Sequence, residues 1–161
     1  MLLMTSKAKP GLGELLRYVG ELVDEGAEAQ YRAINLTYRA RYTPVMRALK
    51  AGAETISDIT ASTYLTQGAI SQSVLLMIED GLLERHTLED GRKTGVHLTA
   101  KGKALLKRLE QHWQVTFAAI SELETEIGFP LLKVLESTAL ALERKGFSAR
   151  LESAKSSLGK K

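Results

Sequence analysis

The chain has 161 residues, 44% of them hydrophobic and 25% charged, a balance typical of a folded globular protein rather than a disordered chain. Its 22 Lys and Arg against 19 Asp and Glu give a net charge of +3, which permits a nucleic-acid partner without requiring one. The absence of cysteine excludes disulfides, thiolate metal sites and catalytic thiols.

Neither a secretion signal nor a membrane segment is predicted. The apolar start, residues 1–4, is too short for a signal peptide. No apolar run approaches the roughly 18 residues of a membrane span. We therefore expect a cytoplasmic protein that does not insert into a membrane.

The N-terminal part of the sequence predicts two helices. Residues 11–32 carry apolar side chains at helical spacing, which predicts an amphipathic helix. Residues 35–42 are expected to form a connection with basic and aromatic side chains. Thr43 then supplies an N-cap and Pro44 a first-turn proline for a helix that ends at Gly52.

Capping signals predict two further helices. Thr55 and Asp58 have the spacing of a capping box, which starts a short helix. Thr66 is the next N-cap residue, and Gly81 stands where that helix would end in the left-handed conformation. Ile70, Val74, Met77 and Ile78 stand at helical spacing, and the first three are predicted to supply the buried side of this helix.

After Gly81 the apolar pattern changes from helical spacing to alternation. Alternation over residues 83–87 and 96–99 predicts two strands. Asp90-Gly91 lies between them and is a strong hairpin signal. The middle of the chain is therefore expected to end in a two-stranded hairpin.

The C-terminal part predicts two helices and a tail. Thr99 caps a long helix that reaches about residue 126, and Pro130 starts another that ends at Gly146. Residues 147–161 are rich in Ser and Lys towards their end and are predicted to be a partly disordered tail.

The order of elements over residues 43–99 is that of a winged helix-turn-helix. The expected fold class is therefore mainly α with a small β-hairpin, flanked by long helices. A helix that enters a DNA major groove needs a buried side and a small, hydrogen-bonding outer side, and glutamine can pair with adenine there. A surface helix with a polar outer side is the alternative. The outer side chains are Thr66, Gln67, Ser71 and Gln72.

Arg92 and Lys93 make the tip of the predicted hairpin basic. An arginine on a thin wing can enter a minor groove, where the negative potential is enhanced. We expect both residues to contact DNA, and the alternative is a solvated turn.

Three motifs resemble the MarR (multiple antibiotic resistance regulator) family of transcription regulators. Residues 65–85 resemble that family's recognition helix and first wing strand. Asp90-Gly91-Arg92 followed by Leu98-Thr99 is similar to its wing signature, and Thr43-Pro44 to its entry into the second helix. The resemblance covers nearly the whole chain. Gln72 departs from it, because the family very often has a basic residue at that place.

The resemblance implies an effector-responsive repressor that binds a pseudo-palindromic operator in double-stranded DNA as a homodimer. It implies dimerisation helices within residues 1–42 and 100–146, on either side of a DNA-binding domain at residues 43–99. By the same analogy, Gln67, Ser71 and Gln72 contact the major groove, Arg92 enters the minor groove, and Asp90 orients Arg92 or its wing.

Six side chains are expected to line a pocket for a small-molecule effector. Aromatic walls beside an arginine would suit an aromatic acid. Ordinary packing in the core and the dimer interface is the favoured alternative. The six residues are Tyr31, Tyr38, Arg41, Tyr42, Trp113 and Phe117.

No catalytic or phosphate-binding motif occurs in the sequence, so we predict a protein that is not an enzyme and uses no cofactor. His86, His97 and Glu84 lie on the two predicted strands and would suit zinc, but two exposed histidines without a metal are expected. The alternative function is a winged-helix dimer that binds another protein or a small molecule without specific DNA binding. An enzyme built in the aromatic cleft is a third class.

Overall fold

The computed structural model of the chain describes residues 8–89, 91 and 94–160. These residues form two compact units, one ending at Lys107 and the other starting at Arg108. None of the described helices combines the length and the apolar character needed to span a bilayer. The α-helices are α1 Leu12–Ala33, α2 Thr43–Lys50, α3 Ile56–Ala61, α4 Gln67–Glu79, α5 Ala100–Ile127, α6 Leu131–Arg144 and α7 Phe147–Leu158. A short 3-10 helix spans Ala40–Tyr42. The strands are β1 Leu83–Thr87 and β2 Thr94–Leu98.

The predicted capping residues start α3 and α4. At α3 the Thr55 hydroxyl accepts from the Asp58 amide at 3.0 Å, and the Asp58 carboxylate accepts from the Thr55 amide at 3.0 Å. At α4 the Thr66 hydroxyl accepts from the Ala69 amide at 3.1 Å. Each such cap satisfies a backbone donor that the helix leaves unpaired and is worth about 1 kcal/mol.

Thr43 differs from its predicted role. It is the first helical residue of α2, and Tyr42 precedes it as the N-cap residue. The 3-10 helix Ala40–Tyr42 runs directly into α2, so Thr43 already has helical backbone angles. Its hydroxyl instead hydrogen-bonds to the hydroxyl of Tyr38 at 3.0 Å.

The inner face of α4 forms the centre of the core in the first unit. Ile70, Val74 and Met77 are fully buried, as their helical spacing predicts. Fully burying a side chain of this size contributes about 1.5–3 kcal/mol. The side chains buried around them include Val45 and Met46 of α2, Ile59 of α3, and Leu82 and Leu83 at the start of the hairpin.

The hairpin is antiparallel and is joined to the segment before α3. Glu84 lies opposite His97, and Arg85 lies opposite Val96. The Val96 amide donates to the Glu54 carbonyl at 2.9 Å, so β2 is hydrogen-bonded on its other side as well. β2 begins at Thr94, two residues before the predicted start, and this lengthens the pairing with β1.

Close backbone packing connects the hairpin to α5. Gly81 ends α4 with a φ of +75°, as predicted, and its carbonyl accepts from the Thr99 hydroxyl at 2.6 Å. The same hydroxyl accepts from the Gly102 amide at 3.1 Å and so caps α5. A Cβ atom on Gly102 would lie 2.2 Å from the Leu82 carbonyl oxygen, so only glycine fits at this approach.

The second unit contains a helix where the sequence predicts a tail. Residues 147–161 are expected to be partly disordered, but α7 occupies Phe147–Leu158. The Arg150 guanidinium donates to the carbonyls of Ala141 at 2.9 Å and Lys145 at 3.0 Å. These carbonyls lie at the end of α6, where a cation is favoured by the helix dipole. Arg150 therefore ties α7 to α6, a contact that the composition of the tail does not reveal.

Candidate nucleic-acid interface

The four polar residues predicted to meet DNA lie at the N-terminal end and on the outer side of α4. Thr66, Gln67 and Gln72 are exposed and Ser71 is half-buried, while the opposite side of the helix faces the core. The first turn of α4, which the structure describes in full, contains no acidic residue. Its free amides therefore present an end that is favourable to an anion such as a phosphate.

The Arg41 side chain lies against α4. Its Nε atom is 3.3 Å from the hydroxyl of Ser73, which is only 3% exposed, and its Nη2 atom is 3.5 Å from the Gln72 side-chain oxygen. From the sequence we expect Arg41 in an effector pocket, whereas its side chain contacts α4. No local pattern indicates it, because the partners lie more than thirty positions away in the chain.

The wing tip is only partly described. Asp90, Arg92 and Lys93 lie outside the described residues, so their expected roles stay predictions. Gly91 is described and has a φ of +68°, which suits the turn that the Asp-Gly pair predicts.

Three titratable side chains form a hydrogen-bonded row on the hairpin. The Nδ1 atom of His97 is 2.7 Å from Nδ1 of His86, and its Nε2 atom is 2.6 Å from Oε1 of Glu84. The two nitrogens of the His97 ring point in different directions, so the three side chains do not converge on one point. No group of three potential metal ligands is found among the residues that the structure describes. The zinc alternative is therefore not supported by this arrangement.

Three tyrosines from the expected effector pocket pack against one another in the core. The rings of Tyr31 and Tyr38 meet edge to face at 4.8 Å, and those of Tyr38 and Tyr42 do so at 5.7 Å. All three are at most 7% exposed. Such ring pairs contribute about 0.5–1.5 kcal/mol beyond their burial. This geometry supports the core-packing alternative for these three residues.

Two hydroxyls of this cluster, those of Tyr38 and Tyr42, have raised pKa values. Burial raises the pKa of Tyr38 well above its usual range. Burial, followed by the hydrogen bond to the Asp80 carboxylate, raises the pKa of Tyr42 to about 12. The Tyr42 hydroxyl donates to Oδ2 of Asp80 at 2.7 Å, just after α4 ends.

The other two residues of the expected pocket belong to the second unit. Trp113 and Phe117 lie on α5 beyond Arg108, and the Phe117 side chain is half exposed. A pocket lined by all six residues stays a prediction.

One segment of the sequence matches a known domain family, and the fold is similar to solved structures. Residues 45–102 match the family described as a winged helix DNA-binding domain. No curated protein sequence matches the chain significantly.

Solved structures of transcriptional regulators share most of the fold. The Mycobacterium tuberculosis regulator MOSR, in complex with DNA, is 18% identical with a TM-score of 0.68, covering 84% of this chain and 98% of its own. A MarR family regulator from Silicibacter pomeroyi is 22% identical with a TM-score of 0.60, covering 81% and 94%. The Staphylococcus aureus MepR–DNA complex is 17% identical with a TM-score of 0.56, covering 80% and 96%.

These findings confirm the mainly helical fold class, the winged helix with its hairpin, and the resemblance stated from the sequence. Residues 45–102 thus match the winged helix DNA-binding domain family, and the chain has the fold of solved MarR-family transcriptional regulators.

Proposed function

We propose that the chain is a sequence-specific transcriptional regulator that binds double-stranded DNA through α4. The observation that carries the proposal is the division of α4 into a buried apolar side and an outer side whose N-terminal half is polar and free of acidic residues. A helix with this division is suited to a major groove. Two proteins of similar fold, MOSR and MepR, have structures with DNA.

The outer residues of α4 make two kinds of contact with DNA, one with base edges and one with phosphates. Gln67, Ser71 and Gln72 read base edges, because their side chains stand on the side away from the core. Thr66 and the first amides of α4 hold a phosphate, which fixes position without reading sequence. At the wing, Arg92 enters the DNA minor groove, Lys93 contacts the DNA phosphate backbone and Asp90 orients Arg92.

A second copy of the chain completes the regulator. The apolar stripe of α1 is 44–59% exposed, and α6 and α7, both described in full, contain no buried residue. Apolar faces of this extent are typical of interfaces rather than of monomers. A two-fold dimer would place two α4 helices on half-sites about 10 base pairs apart, which matches a pseudo-palindromic operator. The exposed side chains on α1 are Leu12, Leu15, Leu16, Tyr18, Val19, Leu22 and Val23.

Repression, and its release by a small molecule, rest on the family resemblance alone. The three core tyrosines are tightly packed, so we assign them first to stability. The dimer would need two arrangements that differ in the spacing of their α4 helices. A small molecule releases DNA only if it binds the arrangement that does not fit the operator more tightly than the one that does.

Fluorescence anisotropy tests this function. The full chain is titrated onto DNA from upstream of its own gene, and onto sequences selected from a random library, at several salt concentrations. We expect binding that falls steeply with salt and that is weakened about tenfold by Gln72→Ala. Glu79→Ala is the matched control, because this exposed residue lies about 10 Å further along the same helix. Weak binding that Gln72→Ala leaves unchanged would contradict the proposal.

A protein-binding module is the second candidate function, favoured by one observation. Leu75 is 50% exposed one turn after Ser71, on the outer side of α4. An apolar residue there suits a protein partner better than a phosphate. This function predicts that no library sequence is selected, and that Leu75→Ser leaves the affinity for any DNA unchanged.

A further inference from the structure

The contact between Arg41 and Gln72 decides which end of the glutamine amide faces the arginine. A guanidinium has five donors and no acceptor, whereas the amide has an oxygen at one end and an NH2 group at the other. Arg41 therefore attracts the oxygen of Gln72 and repels the NH2 group. The 3.5 Å approach of Nη2 to Oε1 is the arrangement that this charge requires.

Arg41 is itself held in place. Its Nε atom is 3.3 Å from the hydroxyl of Ser73, which is buried in α4 next to Gln72. Ser73 thus anchors the guanidinium at Nε without the help of Gln72, and Nη2 is left facing the Gln72 oxygen. A lysine would supply only a point charge and could not hold both positions in one plane.

We propose that Arg41 is a specificity-determining residue that fixes the orientation of the Gln72 amide. The inference rests on the proposed DNA-binding function. With its oxygen held towards Arg41, Gln72 turns the NH2 group outwards and presents donors to a base. Guanine offers two acceptors in the major groove, N7 and O6, whereas adenine offers only N7 beside its amino donor, so guanine is favoured at this position.

Adenine is disfavoured for the same reason. The familiar glutamine–adenine pair needs the amide oxygen to accept from the adenine amino group. With the oxygen turned towards Arg41, the adenine amino group has no acceptor on the Gln72 amide. Removal of Arg41 frees the amide to turn over, so adenine becomes acceptable.

Selection from a random DNA library by the full-length chain tests the inference, with anisotropy on single-base variants of the selected site. The wild type is expected to prefer guanine over adenine by at least about fivefold at one position, and Gln72→Ala should lose the preference there. Arg41→Ala and Arg41→Lys should reduce it to about twofold or less, and Ser73→Ala should change it in the same direction. Arg39→Ala is the matched control, because it removes an exposed arginine two residues away and should leave the preference unchanged.

Four results would overturn the inference. If Arg41→Ala keeps the wild-type preference, or if the wild type prefers adenine at the position that Gln72→Ala affects, DNA binding stands and the role of Arg41 is wrong. If Gln72→Ala changes no position of the selected site, Arg41 has no base preference to control. If the wild type selects no sequence at all, the proposed function fails and this inference fails with it.

Discussion

The hydroxyl of Tyr42 donates a 2.7 Å hydrogen bond to the carboxylate of Asp80 and thereby links the start of α2 to the end of α4. The ammonium group of Lys101 donates to the Asp80 carbonyl at 2.8 Å, so a residue of α5 also binds the residue that follows α4. Both contacts stabilise the C-terminal end of the helix whose other end is proposed to meet DNA.

Tyr42→Phe should lower the free energy of unfolding by about 1.5–3 kcal/mol. The substitution keeps the ring but removes the donor to a charged carboxylate, and bonds to charged groups are worth about this much. Urea unfolding followed by circular dichroism measures the change. Tyr64→Phe is the control, because the Tyr64 side chain is 67% exposed. Equal stability of Tyr42→Phe and the wild type would show that the bond contributes nothing.

Alkaline pH should destabilise the protein through the same tyrosine. The pKa of Tyr42 is raised to about 12 in the folded state, against about 10 in an unfolded chain. The raised pKa favours folding below pH 10, and this contribution is lost as the pH rises from about 10 to 12, because the unfolded state gives up its proton first. The free energy of unfolding should fall by up to about 1.4 kcal/mol per pH unit from this group.

The comparison between wild type and Tyr42→Phe isolates this effect from the titration of lysines. Urea unfolding from pH 8 to 11 should show a steeper decline for the wild type than for the variant. Parallel curves would mean that the hydroxyl has the same pKa in the folded and the unfolded states.

Gly102→Ala should destabilise the winged unit by about 1–3 kcal/mol, because the added methyl group meets the Leu82 carbonyl and the backbone has to move. Thermal unfolding measures this as a lower Tm. Gly26→Ala is the matched control, since a Cβ atom at this helical position of α1 meets nothing within 4 Å. That substitution should raise the stability by about 0.5–1 kcal/mol. A Gly102→Ala protein with an unchanged Tm would contradict the packing described here.

Thr66→Ala should cost about 1 kcal/mol and weaken DNA binding, because the first turn of α4 loses the cap on the Ala69 amide. Hydrogen exchange at that amide reports fraying directly, and anisotropy reports the affinity. Thr66→Ser keeps the hydroxyl and should behave as the wild type. Loss of binding in both variants would indicate that the methyl group, not the cap, matters.

Charge on the apolar stripe of α1 should prevent dimer formation. Val19→Glu and Leu22→Glu place carboxylates on a face that we propose a second copy covers, where an unpaired buried charge is costly. Sedimentation velocity should show a dimer for the wild type and a monomer for the double variant. Arg17→Glu, on the polar side of the same helix, should remain a dimer. A wild type that sediments as a monomer would contradict the dimer proposal.

The sequence predicts those features that depend on neighbours in the chain. The starts of α3 and α4 follow from Thr55 and Thr66, because a cap uses an amide only three residues away. The buried side of α4 follows from the spacing of Ile70, Val74 and Met77. The same spacing predicts which polar residues of α4 are exposed, because they lie outside the buried stripe.

Features set by tertiary packing are beyond the sequence patterns. The position of Arg41 on Gln72 depends on where the 3-10 helix packs, and a guanidinium beside tyrosines suggests an effector pocket just as well. The sequence predicts a tail where α7 forms, because serines and lysines favour disorder, whereas the carbonyls that Arg150 binds belong to the end of α6.

Protection of a single thiol on α4 tests the central claim most directly. The chain contains no cysteine, so Gln72→Cys introduces one reactive group on the proposed DNA-facing side. Alkylation of this thiol should slow strongly when the selected DNA is added, while Glu152→Cys on α7 should react at the same rate with and without DNA. If the Gln72→Cys thiol reacts equally fast on saturating DNA, α4 does not enter the groove, and the proposed mode of DNA recognition is wrong.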